Sequence, residues 1–280
     1  MPLQLSLPTS PSPELLAARA PERARHEIKL RRTTVASVEQ LTPHMLRIRL
    51  QGADLAGFSS LGFDDHVKLL FPDANGELQL PPPGSEGLPP AMREAMRDYT
   101  PHSYDAQAQT LAIDFAVHEA GPATAWALQA ATGHVLGIAG PRGSFIVPTA
   151  FDGHLLIGDD AALPAITRRL RELPAGTQAV VVVEVNDAAD EQKLDSAADL
   201  QVHWVHRQGQ PAGDAQRLLA ALRQIDAPAG DYYNWVALES TAAKALRAAL
   251  IAEHGAHPKW TKAAAYWKRG SSGVHEVIEE

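Results

Sequence analysis

Up to about residue 150, apolar and polar positions alternate with a period of two. Residues 45–50 (MLRIRL) alternate, and residues 111–117 (LAIDFAV) put Leu111, Ile113, Phe115 and Val117 on one face. Successive strand side chains leave opposite faces of the pleat, so this pattern predicts half-buried strands. Residues 67–71 and 135–138 are further short apolar runs, separated by Pro- and Gly-rich stretches such as PDANG and PPPGSEGLPP. Strands of this kind, broken by turn residues, predict an antiparallel barrel. One helix interrupts it, opening at Gly121-Pro122-Ala123-Thr124 with Pro in its first turn and stopping at Gly133. A helix start built of small residues lets a phosphate approach the free backbone N–H groups.

After residue 150 the strands become continuous apolar runs, at residues 154–158, 179–185, 201–205 and 232–238. Such runs predict parallel strands buried on both faces. Helical patterns over 161–173, 212–225 and 240–254 separate them. Strand–helix alternation predicts an open, doubly wound parallel sheet with ligands at the carboxyl ends of its strands. We therefore expect three segments: a flexible Pro/Ser-rich arm over residues 1–27 with a short helix at 14–25, a barrel domain over 28–149, and an α/β domain with a C-terminal extension over 150–280. No internal repeat is visible.

Composition narrows the chemistry. The 280 residues contain no cysteine. That excludes disulfides, thiolate catalysis and iron–sulfur clusters, so any electron carrier must be an organic cofactor. The net charge of −8 argues against nucleic acid as a partner. No apolar run reaches spanning length and the N-terminus lacks a signal-peptide pattern, so we expect no membrane insertion and a cytoplasmic location.

Six short motifs follow in order. Arg97-Asp98-Tyr99-Thr100 offers an Arg fork for a pyrophosphate, an aromatic ring, and a hydroxyl. Residues 114–127 (DFAVHEAGPATAWA) lead into the helix start. Residues 137–144 (GIAGPRGS) and 158–165 (GDDAALPA) follow, then 184–192 (EVNDAADEQ) and 265–270 (AYWKRG). In this order, from about residue 28 to 272, the set resembles the siderophore-interacting protein family of FAD-binding ferric-siderophore reductases, within the ferredoxin-reductase-like superfamily.

The resemblance implies that Arg97, Tyr99 and Thr100 hold FAD, with Asp114 and His118 beside its flavin or adenine part. Gly121, Pro122, Ala123 and Thr124 lie under the pyrophosphate. Gly158, Asp159, Asp160, Ala162 and Leu163 face the nicotinamide nucleotide, NADPH or NADH. Lys68, Arg142, and Lys268 or Arg269 greet the anionic ferric chelate. The family continues its flavin motif as Tyr-Thr-x-Arg, and here that last position is His102. A His is only partly charged near neutral pH, so pH-dependent FAD binding is an expectation.

Other residues have plainer readings. His203 and His206 resemble a metal pair, but with no carboxylate or third His expected nearby we predict no metal. Asp187, Asp190 and Glu191 read as a solvated loop, with a nucleotide role implied by the family match. Glu239 reads either as a ribose contact at a strand end or, more simply, as a helix N-terminal carboxylate, and Trp267 either stacks on a ring or closes the core. Arg168, Arg169 and Arg171 are either 2′-phosphate ligands or exposed helix charges. The implied activity is electron transfer from NAD(P)H through FAD to siderophore iron(III), without a catalytic acid–base residue. A general flavin or quinone reductase and a non-catalytic siderophore-binding protein remain as alternatives, and a reduced ferredoxin remains a possible donor.

Overall fold

The computed structural model describes residues 11–81, 89–117, 121–271 and 276–278. After helix α1 (Pro13–Ala18) come strands β1 (Glu22–Arg25), β2 (Leu30–Thr42), β3 (Met45–Gln51) and β4 (Val67–Leu70). Helix α2 (Pro90–Ala95) leads to β5 (Arg97–Tyr99), β6 (Pro101–Asp105) and β7 (Thr110–Ala116). Helix α3 (Pro122–Gln129), β8 (Val135–Ala139) and β9 (Gly143–Ile146) complete the first half. The second half runs β10 (Gly153–Asp159), α4 (Leu163–Glu172), β11 (Gln178–Val185), β12 (Asp199–His206), α5 (Ala215–Leu222), β13 (Tyr232–Glu239), α6 (Ser240–Glu253), β14 (Thr261–Trp267) and β15 (Glu276–Ile278).

The first sheet is antiparallel throughout, in the order β5-β4-β8-β2-β3-β7-β6. Its two edge strands are consecutive in sequence, joined only by Thr100, so the sheet curls into a half-barrel rather than closing into a hydrogen-bonded cylinder. Leu111, Ile113 and Phe115 enter its core with Val35, Leu50, Leu69 and Ile138, as the alternation predicts. Each such side chain contributes roughly 1.5–3 kcal/mol by leaving water. The opposite face of β7 is covered as well, since Ala112 and Asp114 are also buried.

The second sheet has the order β12-β11-β10-β13-β14-β15, parallel except for β15. Every residue of β10 is buried, because α4 covers one face and α5 and α6 the other. β12, at the edge, is more open and carries the polar Gln201 and His203. Met45 and Phe63 of the first half join Leu156, Ile166, Leu170 and Trp235 in one cluster, so the half-barrel and the second sheet share a core.

Several boundaries differ from expectation. The helix expected at 14–25 ends at Ala18, after which Glu22–Arg25 pairs antiparallel with Gly143–Ile146. Arg19 anchors this segment to the second half through Asp231 (2.6 Å) and the Ala150 carbonyl (2.8 Å), so the expected arm is docked over these residues. Helix α3 stops at Gln129, where Ala130 turns to extended backbone, four residues before Gly133. Helix α5 covers only 215–222, because the Asp214 carboxylate caps Gln216 and Arg217 and starts it late. β14 was not foreseen; its Ala-rich TKAAAYW becomes a strand by pairing with β13.

Candidate active site

The order of the second sheet reverses between β10 and β13, which opens a crevice at the carboxyl ends of those strands. Gly158 closes β10 against α4. A Cβ there would stand 2.4 Å from the Ala162 Cβ and 3.2 Å from Ile166 Cδ1, so only glycine admits the helix this close. The next residue, Asp159, is fully buried. Its Oδ1 accepts from the Ala161 N–H (3.0 Å) and its Oδ2 from the Trp267 indole N–H (2.7 Å). Trp267 thus ties the end of β14 to the first turn, and its ring lies against Gly213, where a Cβ would come within 3.1 Å of it. The side chains of Ala162 and Leu163 are in the core, so they present only backbone to the crevice.

Charged pairs fix the rest of the rim. Asp160 meets both terminal nitrogens of Arg207 at 3.3 Å. Glu184, fully buried, accepts from Gly213 N–H (2.7 Å) and Arg217 Nη1 (2.6 Å). Glu239 caps α6, accepting from the N–H groups of Thr241 (2.6 Å) and Ala242 (3.3 Å), which matches its plain reading. Lys268 and Arg269 follow on the exposed turn after β14, and Arg269 donates to the Ala212 carbonyl at 2.8 Å.

The half-barrel presents β5 to this crevice. Buried Thr100 meets the Tyr266 phenol of β14 across the contact between the halves. Burial raises the phenol's pKa well above 10, with Asp64 adding and the Thr100 hydrogen bond opposing. The Tyr99 ring packs on Phe115, centroids 4.6 Å apart, and burial pushes its pKa up too. Arg97 donates from Nη1 to the carbonyls of Glu94 (2.7 Å) and Met96 (2.8 Å). Its Nε and Nη2 have no partner among the described residues. On the neighbouring strand Lys68 stands opposite Asp98 and pairs with it at 2.8 Å. Arg142 is exposed on the turn between β8 and β9.

His102 corrects an expectation. It is 3% exposed, with Nε2 2.8 Å from Arg47 Nη2 and 3.4 Å from Arg171 Nη2. Burial pushes its pKa down to about 4; Asp114 opposes this, while Arg47, Arg171 and Arg168 reinforce it. The ring is therefore neutral, not partly charged, at pH 7 and accepts from Arg47. Arg47 in turn grips Asp114 with two contacts of 2.7 Å. A guanidinium does occupy this spot, but it arrives from β3. His118 lies outside the described residues.

Other readings change as well. Arg168 donates to Ser60 Oγ (2.9 Å), the Pro101 carbonyl (2.9 Å) and the Ser60 carbonyl (3.0 Å), bridging the two halves. Arg169 is 1% exposed and donates to the carbonyls of Val147 (3.0 Å) and Pro148 (2.5 Å). Neither is an exposed helix charge, and both are committed away from a 2′-phosphate; Arg171 is exposed but turned to His102. Asp190 is no solvated loop residue: it is buried and accepts from His44 Nδ1 (2.8 Å) and the His44 N–H (3.1 Å), another bridge. A carboxylate does lie beside His206, since Glu191 Oε1 is 2.8 Å from its Nε2. Among the described residues no group of three or more metal-ligating side chains assembles.

The donor set fits FAD. Gly121 precedes α3 with no side-chain cap on the helix's first N–H groups, and the space beside its Cα is open. A helix start left uncapped suits a diphosphate. The free nitrogens of Arg97 add a cationic fork.

A curled antiparallel sheet joined to a doubly wound sheet, with an Arg-x-Tyr-Thr strand facing the carboxyl-end crevice, defines a two-domain flavin- and nicotinamide-binding oxidoreductase scaffold. Residues 34–145 match the siderophore-interacting FAD-binding domain and residues 151–270 the siderophore-interacting protein model. The chain is 38% identical over 254 residues to the NADPH-dependent ferric-chelate reductase of Escherichia coli K12, covering 89% of this chain and 97% of that protein. It is 35% identical over 238 residues to the ferric vibriobactin reductase ViuB of Vibrio cholerae, covering 83% and 87%. A siderophore utilization protein from T. fusca superposes with a TM-score of 0.82 at 37% identity, covering 90% of this chain and 98% of that one. The chain belongs to the siderophore-interacting protein family.

Proposed function

We propose that this protein is an FAD-dependent reductase that takes electrons from NADPH and delivers them to iron(III) in siderophores, releasing iron(II) for assimilation. The observation that carries the reading is the meeting of Thr100 and Tyr266, which sets the Arg97–Thr100 strand against the carboxyl-end crevice with Lys68 on the adjoining strand. Iron(III) is a hard cation held by oxygen donors, and one added electron weakens that hold. One NADPH and two ferric chelates give NADP+, a proton and two iron(II) centres. When bound, FAD supplies the exchange between a two-electron donor and a one-electron acceptor.

The chain's own residues place and screen. Arg97 and the first turn of α3, Gly121 to Thr124, hold the diphosphate, with Tyr99 and Thr100 at the ring. His102 and Asp114 are engaged with Arg47, so we assign them to positioning β6 and β7 rather than to direct contact. The Gly158–Leu163 turn receives the nicotinamide nucleotide through its backbone, with Asp159 holding Trp267 in place. Lys68, Arg142, Lys268 and Arg269 attract the anionic chelate, and no residue needs to ligate the iron.

No helix among the described residues is long and apolar enough to cross a membrane. We place the reaction in the cytoplasm, where reduced nicotinamide is made, and keep a reduced ferredoxin as a donor to be tested beside NADPH.

The test is anaerobic iron(II) release, trapped by a ferrous-specific chelator, from FAD-loaded protein given NADPH and a panel of ferric siderophores. Release should need both protein and NADPH and exceed that with free FAD. Flavin bleaching without iron(II) would instead indicate a general flavin or quinone reductase; a flavin that stays oxidised with NADPH but bleaches with reduced ferredoxin would change the donor.

A further inference from the structure

At the amino ends of β13 and β14, the opposite end of the sheet from Asp159 and Glu239, a groove of about 730 Å³ runs between the paired strands β1 and β9 and the β14–β15 edge. Small-molecule sites occupy roughly 300–1,000 Å³. Its cations come from separate elements: Arg23 on β1, Arg247 on α6, Lys259 just before β14, and Lys262 on β14. Its acids are used internally. Asp64 accepts from Trp235 Nε1 (3.0 Å) and Lys262 Nζ (2.5 Å). Asp65 accepts from Ser144 Oγ (2.6 Å), Ser60 Oγ (2.9 Å) and the Gly62 N–H (3.0 Å). Lys262 is thereby neutralised, while Arg23, Arg247 and Lys259 have no acidic partner among the described residues.

A second observation is independent of charge. The Tyr233 hydroxyl, Arg247 Nε and His257 Nδ1 are buried, have no hydrogen-bond partner among the described residues, and belong to side chains that line this groove. Tyr233 itself is 2% exposed. Buried polar atoms are nearly always paired, so three unpaired atoms on side chains lining one groove mark it as a place where polar partners are missing. The phenol and the guanidinium donate, so the partner each lacks is an acceptor. The donors are side chains rather than successive backbone N–H groups, which separates the groove from phosphate-cradling loops. A guanidinium fork suits a carboxylate.

We propose that this groove binds a small polycarboxylate, with Arg23, Arg247 and Lys259 meeting separate carboxylates and the Tyr233 hydroxyl donating to one of them. The site is distinct from the nicotinamide crevice, and its test reads binding rather than turnover, so it does not depend on the reductase reading.

Calorimetric titration of the FAD-loaded full chain with citrate, with ferric citrate, and with acetate as a monocarboxylate control tests it. Citrate or its ferric complex should bind at least about tenfold more tightly than acetate. Arg247→Gln and Lys259→Gln should each weaken that binding about fivefold or more, and Tyr233→Phe by about two- to fivefold. Lys259 is exposed, so its variant keeps the test readable if the others disturb folding. Binding of free citrate that Arg247→Gln or Lys259→Gln weakens identifies the free acid as ligand; binding of the ferric complex supports the groove only where the same variants weaken it, since Lys68 and Arg142 attract a ferric chelate elsewhere. No preference over acetate, or an affinity indifferent to both Arg247→Gln and Lys259→Gln, overturns it.

Discussion

The buried His102 should make stability fall in mild acid, by an amount that can be worked out. Its pKa is 6.5 in an unfolded chain and about 4 in the folded one. Between those values the unfolded state binds more protons, so stability rises with pH across that window and is lost as pH falls through it. At about 1.36 kcal/mol per pH unit, the loss reaches about 3 kcal/mol near pH 4. At pH 5 the same linkage gives about 2 kcal/mol. Urea unfolding of the parent chain and His102→Gln, at pH 7.5 and pH 5.0, measures it. Glutamine can still accept from Arg47 but takes up no proton, so the parent should lose about 2 kcal/mol more than the variant over this range. His154, pushed down to about 3 by burial and Arg169, titrates in the same direction in both proteins and cancels. Equal losses in the two would refute a neutral ring facing Arg47. The same neutrality predicts that FAD affinity varies little between pH 5.5 and 8 on account of His102; a marked loss on acidification that His102→Gln abolishes would contradict it.

Three further outcomes are expected. Gly158→Ala drives a methyl to 2.4 Å from the Ala162 Cβ, so it should cost about 1–3 kcal/mol in urea unfolding and raise the KM for NADPH; a neutral substitution would mean the turn is looser than described. Trp267→Phe leaves the Asp159 carboxylate without its indole donor and should destabilise by about 1–3 kcal/mol, whereas an unchanged unfolding midpoint would remove the contact. Lys68→Ala and Arg142→Ala should raise the KM for an anionic ferric chelate several-fold, more at low salt than at high, with flavin content unchanged; a salt-independent effect would argue against charge attraction.

Much of the frame was legible because periodicity reports which faces are covered. The unbroken apolar runs of β10, β11 and β13 read as strands buried on both sides, whereas the close approach of α4 at Gly158 came only from the structure. The alternation at 45–50 and 111–117 named the half-barrel core, and the ordered motifs named the family. β14 escaped because alanines carry no period, and β1 because its ERAR looks like any solvated segment; each is a strand only because a distant partner pairs with it.

By itself, then, the sequence determined the two layers, their order, and the residue types available to hold FAD and a nucleotide. Only the tertiary structure decided where the charges went. Arg168 and Arg169 turned to carbonyls of loops around Ser60 and Val147, Asp190 turned to His44, and His102 was met by a guanidinium from another strand. The groove cations likewise come from residues as far apart as 23 and 259. An apolar side chain needs only burial, which a local period encodes; a buried charge needs one particular partner, and the fold supplies that partner from tens to hundreds of residues away.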